Sequence, residues 1–338
     1  MNETIYMPVG EVCSSISDTY REKKNMVTLI NTSDVLEGRV LNHERVPNSN
    51  LKGQFKKTFQ RDDILYSEIR PQNRRFAYVD FSPIDYIAST KLMVIRAKKD
   101  VVSPKYLYYF LKNSSTVAEL QLLAETRSGT FPQITFSEVA NLTIPVPSLA
   151  VQEVIVQTMQ CLEDKITCNE QINDNLEQQA QAIYHERFET VSPNDLPSEW
   201  RIVTLGEVAT ISNKSFNPLK EPEILLEHYS IPAFDEARFP VFELSTSIKS
   251  NKFIIDASCF MISKLNPTTK RVWKPYCLTG NAVCSTEFIV YKAKDKTITD
   301  FLYSVIDSNS FSDFMCSHVT GSTGSRQRTT PSDTLSYE

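Results

Sequence analysis

Short apolar runs alternate with polar turns in two regions of the chain, residues 1–147 and 191–338. The predicted strands are Ile64–Tyr66, Lys91–Arg96, Phe260–Ile262 and Glu287–Tyr291. The predicted helices are Pro104–Leu111 and Asp300–Ile306. Each region then enters a polar loop, at Arg127–Thr130 and at Thr320–Ser325. Because both regions follow the same order of elements, the pattern predicts a mixed, α+β architecture for each.

A different pattern occupies the middle of the chain. Residues 149–188 contain neither glycine nor proline and are rich in Glu and Gln, which favour helix. A heptad row comprises Ile155, Leu162, Asn169, Leu176 and Ile183, with Met159, Ile166 and Ala180 beside it. This row predicts a long coiled-coil-type helix, about 60 Å in length, with Asn169 fixing its register. The alternative is a plain amphipathic helix that lies on a domain core.

The two flanking regions also repeat one another at a nearly constant offset. Gly10 and Gly206, Ser67 and Ser263, Pro71 and Pro267, and Ala97 and Ala293 lie 196 residues apart, and Leu107 and Leu302 lie 195 apart. Chance similarity is the alternative, but the collinear order favours a duplication. We therefore predict two similar domains, 1–147 and 191–338, separated by a helical segment at 148–190.

Composition places the chain among globular proteins. Its 338 residues are 41% hydrophobic and 23% charged, and that length suffices for two domains. The apolar runs are too short to cross a membrane, and the first residues do not resemble a signal peptide. The seven cysteines form no Cys-x-x-Cys pair and are expected to be reduced thiols. A cytoplasmic protein is therefore expected.

The net charge of −5 is distributed unevenly along the chain. Residues 1–147 carry +3, residues 148–190 carry −6 and residues 191–338 carry −2. The acidic excess thus lies in the helical segment, and the total charge does not exclude contact between the flanking domains and nucleic acid. An acidic helix also predicts a protein partner with compensating basic residues.

Several strings resemble the specificity subunits of type I restriction-modification systems. One is Arg127-Ser128-Gly129-Thr130-Phe131-Pro132-Gln133-Ile134, followed by Ile144-Pro145-Val146-Pro147-Ser148 and by Gln152-Glu153. Two more span Asp63–Pro71 and Trp200–Val208. The family usually has Glu-Gln where this chain has Gln152-Glu153. The resemblance covers nearly the whole chain and is carried by the order of the strings.

The resemblance implies a non-catalytic reader of double-stranded DNA. In this family two target-recognition domains each read one half of a bipartite site, and the long helix binds modification subunits that methylate adenine. S-adenosylmethionine, ATP and Mg²⁺ would belong to these subunits and to a separate motor-nuclease (restriction) subunit, so no cofactor is expected here. The partner-binding residues implied are Ile155, Met159, Leu162, Ile166, Asn169, Leu176 and Ile183.

The chain departs from the family pattern at its end. A second conserved helix normally follows the second recognition domain, whereas this sequence stops at Glu338, soon after Thr320–Ser325. We therefore expect that a second specificity chain supplies the missing helix, or that the chain is a truncated or phase-variable fragment. A repeat scaffold that binds proteins is the remaining alternative.

Motifs for catalysis are weak. Asn266-Pro267-Thr268-Thr269 differs from an adenine-methyltransferase motif at its third and fourth positions, and the four histidines lack metal-ligand spacing. A nuclease centre built from Asp62, Asp63 and Glu68 would not be kept in the second copy, whose matching positions are not all acidic. The sequence therefore favours recognition over catalysis.

The candidate DNA-binding residues lie in two turns and two loops. The turns contribute Arg70, Asn73, Arg74 and Arg75 in the first copy and Lys264, Asn266, Thr269, Lys270 and Arg271 in the second. The loops contribute Arg127, Ser128, Thr130 and Gln133, and Arg326 and Arg328. Arg and Asn side chains can bond guanine and adenine, and Lys and Thr can hold phosphate. The alternatives are solvated charged turns and loops that merely connect a domain to its helix, and Phe76 and Trp273 are expected in the core.

Overall fold

The computed structural model describes residues 4–22, 24–49, 53–127, 130–192, 195–221, 223–320 and 327–338. Contacts within the chain divide it into two units, Met1–Cys168 and Asn169–Glu338. Within the described residues, none of the helices is both long and apolar enough to cross a membrane.

The first unit contains twelve strands and four helices of its own among the described residues. The strands are β1 Ile5–Pro8, β2 Cys13–Ile16, β3 Met26–Ile30, β4 Val35–Leu36, β5 Arg39–Val40, β6 Val46–Pro47, β7 Phe55–Lys57, β8 Ile64–Ser67, β9 Phe76–Tyr78, β10 Tyr86–Ser89, β11 Leu92–Ala97 and β12 Thr143–Val146. The helices are α1 Val9–Val12, α2 Pro104–Lys112, α3 Ser114–Arg127 and α4 Phe136–Asn141.

Two four-stranded sheets form this unit, in the orders β2-β11-β8-β9 and β6-β3-β10-β7, and β1 pairs with β12. Both faces of the first sheet are buried, and successive side chains along its strands point to opposite faces. Ile64 and Tyr66 of β8 belong to the core that includes the helices, whereas Leu65 belongs to the core that includes residues of the second sheet. Burial on both faces explains why these strands read as continuous apolar runs.

Helix α5, Leu149–Tyr184, follows and ends in a π-helical turn at His185–Glu189. The predicted long helix over residues 149–188 is confirmed. Its beginning is held by the buried Gln152 side chain, which accepts a hydrogen bond from Ser103 N at 2.8 Å and donates to Val101 O and Pro147 O. Further along, Glu163 accepts a hydrogen bond from Tyr109 at 2.8 Å.

The second unit repeats the architecture of the first. Its strands are β13 Ala209–Ile211, β14 Ser215–Phe216, β15 Leu225–Tyr229, β16 Val241–Leu244, β17 Lys252–Ile254, β18 Cys259–Ser263, β19 Val272–Trp273, β20 Ala282–Ser285, β21 Phe288–Ala293, β22 Val319–Thr320 and β23 Arg328–Thr329. Its helices are α6 Leu205–Val208, α7 Ile231–Ala237, α8 Thr299–Ile306 and α9 Asn309–Ser317.

The sheets of the second unit have the orders β13-β21-β18-β19 and β14-β17-β20-β15-β16. The first order matches β2-β11-β8-β9, and the second contains the counterparts of β7, β10, β3 and β6 with β14 added at the edge. Burial alternates here too, since Phe260 packs with the helices and Met261 packs with the second sheet. The predicted α+β class with two similar domains and a long helix is confirmed.

The sequence Gly-Glu-Val occurs at residues 10–12 and again at residues 206–208, and its glycine is closely packed in each unit. A Cβ atom on Gly10 would lie 3.0 Å from Ala140 Cβ, and one on Gly206 would lie 3.1 Å from Leu335 O. Next to these glycines, Val9 N donates to Leu142 O at 2.8 Å, and Leu205 N donates to Tyr337 O at 2.7 Å. A side chain larger than that of glycine would therefore crowd residues around Ala140 in the first unit and around Leu335 in the second.

Candidate functional site

The first candidate turn begins where β8 ends. Ser67 Oγ accepts a hydrogen bond from Ile69 N at 3.0 Å, and a short 3₁₀ turn at Pro71–Asn73 follows. Arg70 and Arg74 flank this turn in the left-handed region, with φ of 43° and 51°. Arg70 N donates to Pro132 O at 3.1 Å. The structure therefore brings the predicted turn and the predicted loop of the first unit together.

The second unit has the same frame. Ser263 Oγ accepts from Leu265 N at 3.2 Å, Asn266 has a φ of 48°, and Asn266 N donates to Gln327 O at 3.0 Å. A non-glycine residue in the left-handed region is uncommon, so its recurrence at Arg70 and Asn266 is strong evidence for a duplicated turn. The backbone is shared by the two turns, and the side chains on it differ.

In the first unit, Arg70 and Asn73 are exposed. Neither side chain has a hydrogen-bond or ion-pair partner within the described part of the chain. Arg74 and Arg75 are half-buried and bonded. Arg74 donates to Ser114 Oγ at 3.0 Å, and Arg75 donates to Ser33 O at 3.0 Å. These two arginines tie the turn to neighbouring elements, while Arg70 and Asn73 are available to a ligand.

The second unit divides its basic residues in the same way. Lys270 pairs with Asp307 at 3.1 Å and donates to Asp307 O, and Arg271 forms a bidentate ion pair with Asp235 at 2.6 and 2.9 Å. Thr269 is exposed, and the half-buried Lys264 ammonium has no ion-pair partner among the described residues. Asn266 Oδ1 is buried and, within the same described ranges, accepts no hydrogen bond.

The loop residues are also partly engaged. Arg127 ends α3 and pairs with Glu138 at 3.0 Å, Gln133 accepts from Lys91 Nζ at 3.2 Å, and Arg328 forks onto Glu287 at 2.9 and 3.1 Å. Thr130 is exposed. The predicted residues Ser128 and Arg326 lie outside the described residues.

On α5, the predicted partner row is exposed to solvent. Leu162 is 53% and Ile166 58% exposed. The other members of the row are also exposed, namely Ile155, Met159, Asn169, Leu176 and Ile183. A row that lay on the core of its own domain would be buried, so this row is not the face by which α5 packs on the first unit. That face includes Val156, which belongs to the core of the unit. The row has the character of a surface that another helix covers.

Phe76 and Trp273 are 2% and 4% exposed, which confirms that both belong to the core. Among the described residues, no group of three or more His, Cys, Asp or Glu side chains could hold a metal ion. Sequence reasoning missed the buried carboxylate of Glu227 and the ordered loop that it holds in the second unit. The available signal was a glutamate that directly follows the apolar run Ile224–Leu226.

The known proteins that the chain is similar to are specificity subunits of type I restriction enzymes. The sequence profile of the family described as "Type I restriction modification DNA specificity domain" matches residues 5–178. The "Type I restriction enzyme HindI specificity subunit" of Haemophilus influenzae is 43% identical over 167 residues, which are 49% of this chain and 36% of that protein. The MjaIX specificity subunit of Methanocaldococcus jannaschii is 27% identical over 172 residues, which are 45% of this chain and 39% of that protein.

The chain thus matches little more than a third of the length of these curated relatives. The fold is similar to that of a chain from a type I R-M system solved for its complex assembly and conformational transition. That similarity has a TM-score of 0.50 at 18% identity and covers 98% of this chain and 84% of the other.

Proposed function

Because the chain belongs to the family of type I restriction-modification DNA specificity domains, we propose that it is the DNA-reading subunit of such a complex. The family match over residues 5–178 carries this proposal. The structural repeat extends the proposal to both halves, so that each unit reads one half of a bipartite DNA site. The chain itself would be non-catalytic.

The turns supply the proposed DNA contacts of each unit. Arg70 and Asn73 in the first unit, and Lys264 and Thr269 in the second, are predicted turn residues whose side chains reach the surface and are not engaged among the described residues. Asn266 is not engaged there either, but its Oδ1 atom is buried. A guanidinium can bond guanine at two atoms and an amide can bond adenine, whereas an ammonium or a hydroxyl suits phosphate. The engaged basic side chains, such as Arg271, would act indirectly by fixing the backbone of the turn.

The exposed row on α5 is the proposed docking surface for a modification subunit. Its apolar side chains and the −6 charge of residues 148–190 suit a helical partner with basic flanks. A second specificity chain that supplies a helix to part of this row is a further proposed partner, and the restriction subunit would join through the modification subunits. S-adenosylmethionine, ATP and Mg²⁺ are assigned to those subunits, and the complex to the cytoplasm.

Sequencing that detects methylated adenine tests the proposal. The chain and a modification subunit are produced together in cells that lack adenine methylation, and the genome is sequenced. We expect methylation at one two-part motif when both proteins are present. The control omits the chain, and methylation should then disappear. Methylation that is unchanged without the chain would contradict the proposal.

A further inference from the structure

An ordered loop of the second unit exposes large apolar side chains. This loop, Lys274–Asn281, joins β19 to β20, and its Tyr276 and Leu278 are 56% and 63% exposed. The ring of Phe239, itself 46% exposed, lies 6.1 Å from that of Tyr276. Apolar side chains on a surface loop are individually common, but a loop that presents several of them together indicates a contact surface.

Two side chains from β15 fix the backbone of this loop. The buried carboxylate of Glu227 accepts hydrogen bonds from Leu278 N at 3.0 Å, from Thr279 N at 2.7 Å and from the Tyr229 hydroxyl at 2.6 Å. The Tyr229 hydroxyl in turn accepts from Tyr276 N and Cys277 N, both at 2.9 Å.

Four consecutive backbone N–H groups, those of residues 276–279, are thus held from inside the unit. A buried carboxylate is costly unless it is hydrogen-bonded, so this network shapes the loop at the expense of burying a charge. The network leaves the side chains of Tyr276 and Leu278 exposed.

The first unit has a loop at the same place, held in another way. Residues 79–85 join β9 to β10, and Ile84 is 73% exposed. The carboxylate of Asp85, a residue with a φ of 62°, accepts hydrogen bonds from Arg45 at 3.2 Å and from the Tyr20 hydroxyl at 3.3 Å. Thr28 N donates to Asp85 O at 2.9 Å, which matches the bond from Glu227 N to Asn281 O at 3.1 Å.

The differences between the two loops indicate which partner they contact. Modification subunits of one kind that bind both halves of the chain would use features that the two units share. The turns at Arg70 and Asn266 share only their backbone frame, and the side chains on that frame differ between the units. Loops 79–85 and 274–281 differ in length, in sequence and in the hydrogen bonds that hold them. Such differences are expected of elements that recognise two different half-sites. Apolar side chains can contact the methyl group of thymine or enter between base steps.

We propose that loops 79–85 and 274–281 read bases of duplex DNA in addition to the turns. In the second unit Tyr276 and Leu278 contact base edges, and Ile84 does so in the first. Glu227 is a positioning residue that touches no DNA and holds the second loop in its reading shape. This inference rests on the proposed function and adds a specificity element to it.

Discrimination between duplexes tests the inference. The full chain, bound to a modification subunit, is titrated with an unmethylated duplex that contains the motif identified by sequencing. It is also titrated with duplexes substituted in one half-site or in the other. We expect Tyr276→Ala with Leu278→Ala to reduce discrimination within the half-site of the second unit about tenfold and to leave the other half-site unaffected. Leu225→Ala is the matched control, because it removes an apolar side chain of β15 that is 53% exposed but lies outside the loop. It should leave the discrimination in both half-sites unchanged.

The positioning role of Glu227 has its own readout. Glu227→Ala should weaken discrimination in the same half-site as the loop variant, and Glu227→Gln, which keeps the shape and an acceptor oxygen, should restore part of it. Circular dichroism and co-purification with the modification subunit check that both variants fold.

Three results separate the possible failures. If the unaltered complex shows no sequence preference, the proposed function itself fails. If that complex discriminates and the loop variants discriminate equally well, the loop inference is overturned. Loss of the modification subunit from the loop variants, with DNA discrimination intact, would also overturn it, because the loop would then be a protein-docking element.

Discussion

At the scale of single residues, a left-handed backbone at Arg70 separates the shape of the turn from its chemistry. Glycine adopts this conformation without a Cβ clash, whereas arginine does so under strain of about 1 kcal/mol. The Arg70 side chain is exposed and is not engaged among the described residues, so its removal should not disturb the fold.

Arg70→Gly should therefore keep the free energy of unfolding within about 1 kcal/mol of the original chain, because relief of strain offsets the greater freedom of the unfolded chain. DNA binding by the complex should weaken nevertheless. Urea denaturation and a duplex titration measure the two effects. A large loss of stability without loss of binding would show that Arg70 is structural.

Arg96 gives the opposite expectation for a basic residue of the same unit. Its guanidinium forms two hydrogen bonds of 2.7 Å with Asp63, whose side chain is 1% exposed. Arg96→Ala leaves that carboxylate buried without its partner, so unfolding should become about 3 kcal/mol easier. Denaturation of the double variant Arg96→Ala, Asp63→Asn is the control and should recover part of the loss.

The Glu227 carboxylate predicts a dependence on pH. Burial by itself would raise the pKa of Glu227, but the hydrogen bonds from Tyr229, Leu278 and Thr279 outweigh it and hold the pKa below the ordinary 4.5. A lowered pKa means that the folded state favours the ionised form, so this stabilisation is present above pH 4.5 and is lost as the pH falls through the lower, folded pKa.

The difference in stability between the original chain and Glu227→Gln should therefore be constant near neutral pH and should shrink on acidification below about pH 4.5. Denaturant titrations of both proteins at several pH values measure it. A difference that grows on acidification would contradict the assignment of the ionised form to the folded state.

At the scale of elements, the apolar row on α5 is exposed while the elements around it are well packed. Leu162→Asp with Ile166→Asp should leave the chain folded, because both side chains already face solvent. The same change should abolish co-purification with the modification subunit, because two charges would be buried in an apolar interface. Gln171→Asp, a change at an exposed position on the opposite side of the helix, is the control. Retained co-purification of the double variant would rule out this docking face.

The elements themselves were largely predictable from sequence. Strands β8, β11, β18 and β21 and helices α2 and α8 lie within two residues of their predicted bounds, because strong apolar runs mark them. Helix α3 was missed because its buried side chains, such as Val117 and Leu120, are diluted by Ser, Glu and Gln. The short strands of the second sheets are likewise too brief to leave a periodic signal.

The basic clusters show why the site was only partly predictable. The sequence places Lys270 and Arg271 beside the turn, but their acidic partners Asp307 and Asp235 lie 37 and 36 residues away along the chain. Such pairings follow from the packing of strands and helices, which a local pattern does not contain. The role of each candidate residue in binding DNA remains a prediction.

At the scale of the whole chain, duplication is the organising feature. The strand order of the first sheet, the serine-capped turn and the position of a left-handed residue are the same in both units. What differs lies on the surface of that frame, in the side chains of the turns and in the loops at 79–85 and 274–281. A shared frame with unlike surfaces suits a protein that recognises two different half-sites with one architecture.

The most direct test of this account compares the methylated motif of three complexes. One contains the original chain, one carries Arg70→Ala with Asn73→Ala in the first unit, and one carries Lys264→Ala with Thr269→Ala in the second. We expect a two-part motif in which each pair of substitutions relaxes one part and leaves the other unchanged. Relaxation of both parts by either pair, or an unchanged motif in both variants, would contradict it.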